Sequence, residues 1–395
     1  MNKGCITQEI QDELHNILNY WSENTIDEKN GGFIGGIDAN EVKNPDSEKG
    51  SVMYGRILWT FSAAFPLTKN PEHLQIAERA FEEIRTKFYN PEQKGIYWSI
   101  NTDGTPKDTK NQIYAIAFVI YGLSEYYKIS NNKDALDLAI TLYESIQKYS
   151  FDAVNKGYFE AYTKDWEEIE DMRLSEKDAN EKKTMNTHLH IVEAFANLYL
   201  VWKNEALKQN IIQLLETIDE YFIDKKSGHL KLFFDEKWNE KKDVISYGHD
   251  IEAAWLLQWC AEVTNDENLI ALYKDNAVKM ADATFEGLDE DGGLWYEYDP
   301  ESDHLIAEKH WWPQAELWIG FLNAYQITHD EKYFDAFKKN VEFTEKYIID
   351  KENGEWIWGI DENYHSMNKD KAGFWKCPYH NGRACLEVLR RLSLH

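Results

Sequence analysis

Six stretches of the chain are apolar on nearly every side: RILWTFSAAF, QIYAIAFVIYGL, HIVEAFANLYLVW, DIEAAWLLQWCAEV, QAELWIGFLNAYQI and GRACLEVLRRL. A helix with no polar face belongs in an interior. Other segments, such as 268–284, interleave Lys and Asp with apolar residues at three- and four-residue spacing and predict helices with one wet side. Between these helices one short motif recurs: an acidic or polar turn, a Gly, then an extended aromatic stretch. It reads DEKNGGFIGGID, NPEQKGIYWSI, DAVNKGYFEAY, DKKSGHLKLFFD, DEDGGLWYEYD and DKENGEWIWGID. With Gly32, Gly95, Gly157, Gly228, Gly293 and Gly354 as markers, the intervals are 63, 62, 71, 65 and 61 residues.

A period this regular marks a repeat architecture, each unit holding two helices and a short Gly-led hairpin. Helix pairs can stack as an open solenoid or close into a ring. One all-apolar helix per repeat favours closure, with six helices inside six outer ones. The expected fold is therefore all-α, an (α/α)6 barrel. No Pro/Ser-rich linker interrupts the pattern, so residues 1–395 are read as one catalytic domain. The one irregularity is a polar insertion at 164–185, just ahead of the third inner helix, placed to form either a solvated loop or a lid.

Composition narrows the partners. A formal charge of −27 repels nucleic acid, anionic membrane surfaces and multiply phosphorylated substrates, which leaves a neutral small molecule. The first residues, MNKGCITQEIQDEL, contain no apolar signal core, and no run reaches the roughly 18 residues of a membrane span; a cytoplasmic protein is expected. Cys5, Cys260, Cys377 and Cys385 show no metal-ligand spacing. Fifteen Trp and 23 Tyr supply faces that stack on pyranose rings, although most fill the core.

Candidate chemistry gathers at the starts of the inner helices. Aligned by repeat, His190-Ile-Val-Glu193, His249-Asp-Ile-Glu252, Pro313-Gln-Ala-Glu316 and His380-Asn-Gly-Arg383 share a frame, with Met53-Tyr-Gly-Arg56 a fifth member. Pro favours the first helical turn, which places the histidines at helix N-termini as well. There the helix dipole disfavours imidazolium, and the Glu three residues on faces the same side and can orient its ring. His188, two residues from His190, points elsewhere and is read as structural. A three-histidine zinc site is disfavoured, because the rings sit on separate helices and no HExxH occurs.

These motifs, together with Arg56-Ile-Leu-Trp59, Asn186-Thr-His188-Leu-His190, His310-Trp311-Trp312-Pro313 and Trp375-Lys-Cys-Pro-Tyr-His380, resemble the family of cellobiose 2-epimerases, relatives of the N-acylglucosamine 2-epimerases. The resemblance covers essentially the whole chain and implies an (α/α)6 barrel. It implies cofactor-free inversion at C2 of the reducing-end glucose of β-1,4-linked disaccharides such as cellobiose and lactose. His380 and His249 would be the acid–base pair and His190 the third catalytic histidine, with Arg56 at the enediolate oxygens. Asn186, Glu252 and Glu316 would orient neighbours or substrate, Trp312 and Trp375 would stack on the sugars, and Tyr114 would form a wall.

Three other readings stay open on sequence alone. One is an aldose–ketose isomerase or an N-acylglucosamine 2-epimerase. Another is a glycoside hydrolase using Glu252 and Glu316, and the last is a non-catalytic binding protein. A monomer or weak dimer is expected.

Overall fold

The computed structural model describes residues 3–393 and contains two concentric sets of helices. The outer ones are α1 (Lys3–Asn24), α3 (Pro71–Glu83), α5 (Lys133–Ser145), α7 (Glu205–Thr217), α9 (Glu267–Thr284) and α11 (Glu331–Tyr347). They alternate with α2 (Ser51–Thr68), α4 (Ile113–Ser130), α6 (Met185–Val201), α8 (Tyr247–Thr264), α10 (Trp311–Thr328) and α12 (Tyr379–Ser393). Each helix of this second set packs on the next, and α12 packs on α2, so the ring closes. The six all-apolar stretches are these inner helices, buried along most of their length. Closure is tightest between α2 and α4, where a Cβ on Gly122 would lie 2.5 Å from the Gly55 carbonyl oxygen.

The two ends of the barrel are built differently. At one end, inner helices pass to outer ones through short turns. Lys69, Asn131, Asn265 and His329 adopt the left-handed conformation there. The next residue, Asn70, Asn132, Asp266 or Asp330, caps the following helix with its side chain. At the other end, outer helices return through the Gly-led hairpins to the N-termini of the inner ones. Strand pairs join neighbouring loops there in a belt that Gly36–Ile37 and Ala372–Gly373 complete. Four marker glycines take positive φ, whereas in the second and fifth repeats the left-handed residue is Lys94 or Gly292, one position earlier.

Each hairpin is fastened to the chain that follows it. An amide one residue after the Gly, or two in the fourth repeat, donates to a side chain in five repeats: Phe33 to Tyr54, Ile96 to Asn111, Tyr158 to His188, Leu230 to Asp250 and Leu294 to Gln314. His188 is therefore structural: Nε2 accepts from Tyr158, Nδ1 donates to the Thr184 carbonyl, and burial pushes its pKa down to about 3. Buried lysines hold the hairpin aspartates: Lys49 with Asp27, Lys183 with Asp152, Lys309 with Asp289 and Lys371 with Asp350.

The 164–185 insertion is more ordered than its polarity suggests. Trp166 stacks on Tyr149 at 4.4 Å, and the Met172 carbonyl accepts from Gln112 at the head of α4. Its last residues are the strand Lys183–Thr184 and the start of α6. Among the described residues no helix is long and apolar enough to cross a membrane. Cys260, Cys377 and Cys385 are free and buried, and the Cys5 side chain lies outside the described residues.

The lysine clamps predict a large stability effect. Lys183→Met strands the carboxylate of Asp152 and should cost about 3 kcal/mol in urea unfolding at pH 7. A loss below about 1 kcal/mol, as expected of an exposed ion pair, would show that the hairpin needs no buried cation.

Candidate active site

Helix starts explain which side chains face the barrel axis. The sixth residues of α2, α6, α8 and α10 are Arg56, His190, Glu252 and Glu316, with Phe118 in that place on α4. The second residues of α4, α6, α10 and α12 are Tyr114, Asn186, Trp312 and His380. Positions four apart share one helix face, so two rings of functional groups stack at the mouth. His249 is the third residue of α8. The frame read from sequence therefore shifts: His190 lies one turn deeper than expected, level with Arg56, Glu252 and Glu316, and only His249 and His380 stand in a first turn. Gly248 takes the second position of α8, and a Cβ there would come within 2.5 Å of Trp312. Trp312 can thus lie against both His249 and His380, with ring centroids 4.7 and 5.7 Å away.

The floor of the site is a buried charge network centred on Arg383. Its guanidinium donates to Glu193 at 2.6 Å, Glu252 at 2.8 Å and Glu316 at 2.7 Å, and also meets the Tyr379 hydroxyl. Glu316 accepts from His380 Nδ1 at 2.6 Å and from the Trp255 indole at 3.0 Å; Glu193 accepts from His190 Nδ1 at 2.8 Å. The expected pairing of each histidine with the Glu three residues on holds for His190 alone. His249 Nδ1 meets Ser246 Oγ at 2.7 Å, and His380 takes its carboxylate from α10. All three rings are thus held through Nδ1, which leaves Nε2 as the nitrogen available for chemistry.

Electrostatics keep these rings neutral. Burial pushes His249 down to about 3, helped by the neighbouring His190 and His380. Burial also drives His380 to about 3 against the pull of Glu316, with Arg56 and Arg383 adding to the fall. His190 is lowered for the same reasons. Burial raises Glu316, but Arg383 and His380 overcome it and hold that carboxyl ionised; Glu252 is raised by burial and by Glu316 beside it. Ligand atoms of Glu252, Glu316 and His380 lie within 4.8 Å of one another, a spacing that suits a cation. Arg383 already supplies that cation to both carboxylates and would repel a metal ion.

Arg56 closes the opposite wall. One Nη donates to Tyr114 Oη at 2.7 Å and the other to the Trp375 carbonyl at 3.4 Å, while the plane lies 4.2 Å from the Phe118 centroid. Its Nε is buried without a partner, as is Asn186 Oδ1. Trp375 rests near Trp98 and Tyr114. The site therefore gathers His190, His249, His380, Arg56, Asn186, Glu252, Glu316, Trp312, Trp375 and Tyr114. Sequence reasoning missed Tyr379, Trp255, Phe118 and Ser246. Of these only Ser246 leaves a local trace, as a polar residue three before His249.

A ring of helices that points three neutral imidazoles, two arginines and stacking tryptophans into one mouth is the arrangement of an α/α-barrel carbohydrate epimerase. A family model described as N-acylglucosamine 2-epimerase matches residues 31–384, and the chain belongs to that family. A cellobiose 2-epimerase from Bacteroides fragilis is 46% identical over 97% of this chain and 98% of its own length. One from Dictyoglomus turgidum is 37% identical over 99% and 100%. The solved structure of a cellobiose 2-epimerase from Bacillus thermoamylovorans B4167 superposes with a TM-score of 0.93 at 37% identity, covering 98% of this chain and 100% of that one.

Histidines with pKa values of about 3 remain unprotonated throughout the neutral range and well below it. Since kcat/KM reports free-enzyme ionisations, it should stay flat from pH 7 down to 5. An acid limb with an apparent pKa near 6.5 would mean that these imidazoles titrate as ordinary exposed ones do.

Proposed function

We propose that this chain inverts C2 of the reducing-end glucose of β-1,4-linked disaccharides, converting cellobiose to glucosyl-mannose and lactose to its epimer. The observation that carries the reading is the pair of neutral imidazoles, His249 and His380, on neighbouring sides of Trp312 and backed by Arg56. The names of the relatives at 46% and 37% identity support the substrate class.

Inversion at C2 needs an open chain, in which the C2 proton lies beside an aldehyde and becomes acidic. His380 Nε2 removes that proton from the glucose form, and the electron pair spreads to O1 as an enediolate. His249 takes a proton from solvent on its bare Nε2, delivers it to the opposite face and returns to the neutral ring. His380 releases the abstracted proton to solvent; for the mannose form the two exchange roles. Arg56 offsets the charge on O1 and O2, with its unpartnered Nε as a further donor, a type of stabilisation worth roughly 3 kcal/mol in comparable sites. His190, fixed by Glu193, assists ring opening through Nε2. Asn186, with its free amide oxygen, accepts a sugar hydroxyl, and Trp312 and Trp375 stack on the pyranose faces. The proton chemistry calls for no cofactor.

Glycoside hydrolysis needs one carboxyl free to act as acid and a second as base or nucleophile. Glu252 and Glu316 share one Arg383 nitrogen, and Glu316 also serves His380 and Trp255, which speaks against that role. Aldose–ketose isomerisation shares the enediolate and differs in which carbon is reprotonated.

The test is NMR of the protein with cellobiose in D2O without added metal. Deuterium should appear at C2 of a glucosyl-mannose product. A fructosyl product would replace the reading with isomerisation, free glucose with hydrolysis, and an unchanged disaccharide would refute it.

A further inference from the structure

In three repeats the clamping lysine stands two residues ahead of its inner helix: Lys49 before Ser51, Lys183 before Met185 and Lys309 before Trp311. In the sixth repeat the lysine that holds Asp350 is Lys371, yet α12 begins only at Tyr379. The intervening strap is absent from those three repeats, and it carries Trp375 and leads directly into His380.

A second ion pair pins this strap. Lys376 donates to Glu355 at 2.8 Å, and both side chains are 0% exposed. The same Glu355 oxygen accepts from the Asn381 amide at 2.5 Å and from the Trp356 backbone at 2.8 Å, while the other oxygen accepts from Trp21 of α1 at 2.6 Å. Among the described residues no other repeat holds a Lys–carboxylate pair with both side chains fully buried. Such a pair is poor value for stability alone, because desolvating two charges offsets most of their attraction. What it does provide is geometry. Asn381 is the neighbour of His380, and Lys376 is the neighbour of Trp375, so one carboxylate ties both site-facing residues to α1 and to the last hairpin.

We propose that Glu355 is a positioning residue that fixes the strap and the first turn of α12 and thereby aims His380 at the sugar C2. The inference rests on the reading of His380 and His249 as bases for opposite faces, and it implies a one-sided defect. When His380 is misplaced, proton removal from the glucose form slows, whereas His249 still removes and returns the C2 proton of the mannose form.

Glu355→Gln and Asn381→Ala test this in the full chain. Glucosyl-mannose and cellobiose are each incubated in D2O, and C2 deuterium uptake is compared with interconversion. In both variants conversion should fall at least about tenfold, the scale expected of a misaimed base. Deuterium uptake into unconverted glucosyl-mannose should stay within about threefold of the parent protein, since His249 is untouched. A proportional fall in both rates, which a merely structural role would give, overturns the proposal, as does no change in either. Should Glu355→Gln fail to fold, Asn381→Ala, which keeps the ion pair, decides by the same criteria. Absence of C2 exchange in the parent protein would instead refute the two-base reading beneath it.

Discussion

The structure of the site depends on one buried guanidinium. Arg383 reaches from α12 to carboxylates on α6, α8 and α10, so a single cation links four of the six inner helices. Three carboxyl groups this close and this deep cannot all stay charged without compensation. The outcome is a division of states: Glu193 and Glu316 are held ionised, and Glu252 is pushed toward protonation. The two ionised carboxylates are the ones that grip His190 and His380. Ring closure is what lets a residue of the last helix meet residues of the third, fourth and fifth, so fold and chemistry are one constraint.

That network also sets how the imidazoles behave. A carboxylate alone would favour imidazolium, but burial and the nearby positive charge of Arg56 and Arg383 prevail. The rings stay neutral, with Nδ1 occupied and Nε2 presented. In the proposed reaction, a proton taken from the substrate would make the site briefly hold imidazolium beside an enediolate, a pair of opposite charges that stabilise one another in a buried setting.

Much of this was legible in the sequence. The period of the Gly markers and the all-round apolarity of six segments are local properties, and both survive intact as the hairpins and the inner ring. The helix register was only half legible. The His-x-x-Glu pattern shared by His190 and His249 hides the cap at Thr184, whose side chain sets the start of α6 at Met185, five residues ahead of His190. The turns at the far end carried an unused signal, the pairs Asn131-Asn132 and Asn265-Asp266, where a left-handed residue precedes a capping side chain. Contacts across the axis left no trace in the linear pattern. Glu316 meets His380 from 64 residues away and Glu252 meets Arg383 from 131, and neither partner could be chosen without the closed ring.

Burial and the positive charge of Arg56 and Arg383 keep His190 and His380 neutral, while the carboxylates gathered by Arg383 hold their Nδ1 protons. Nitrogen-15 NMR of the histidine-labelled protein at pH 7 reads this directly, because protonated and lone-pair ring nitrogens resonate far apart. Both residues should show a neutral ring with a protonated Nδ1 and a bare Nε2. An imidazolium pattern, or a proton on Nε2, would contradict it.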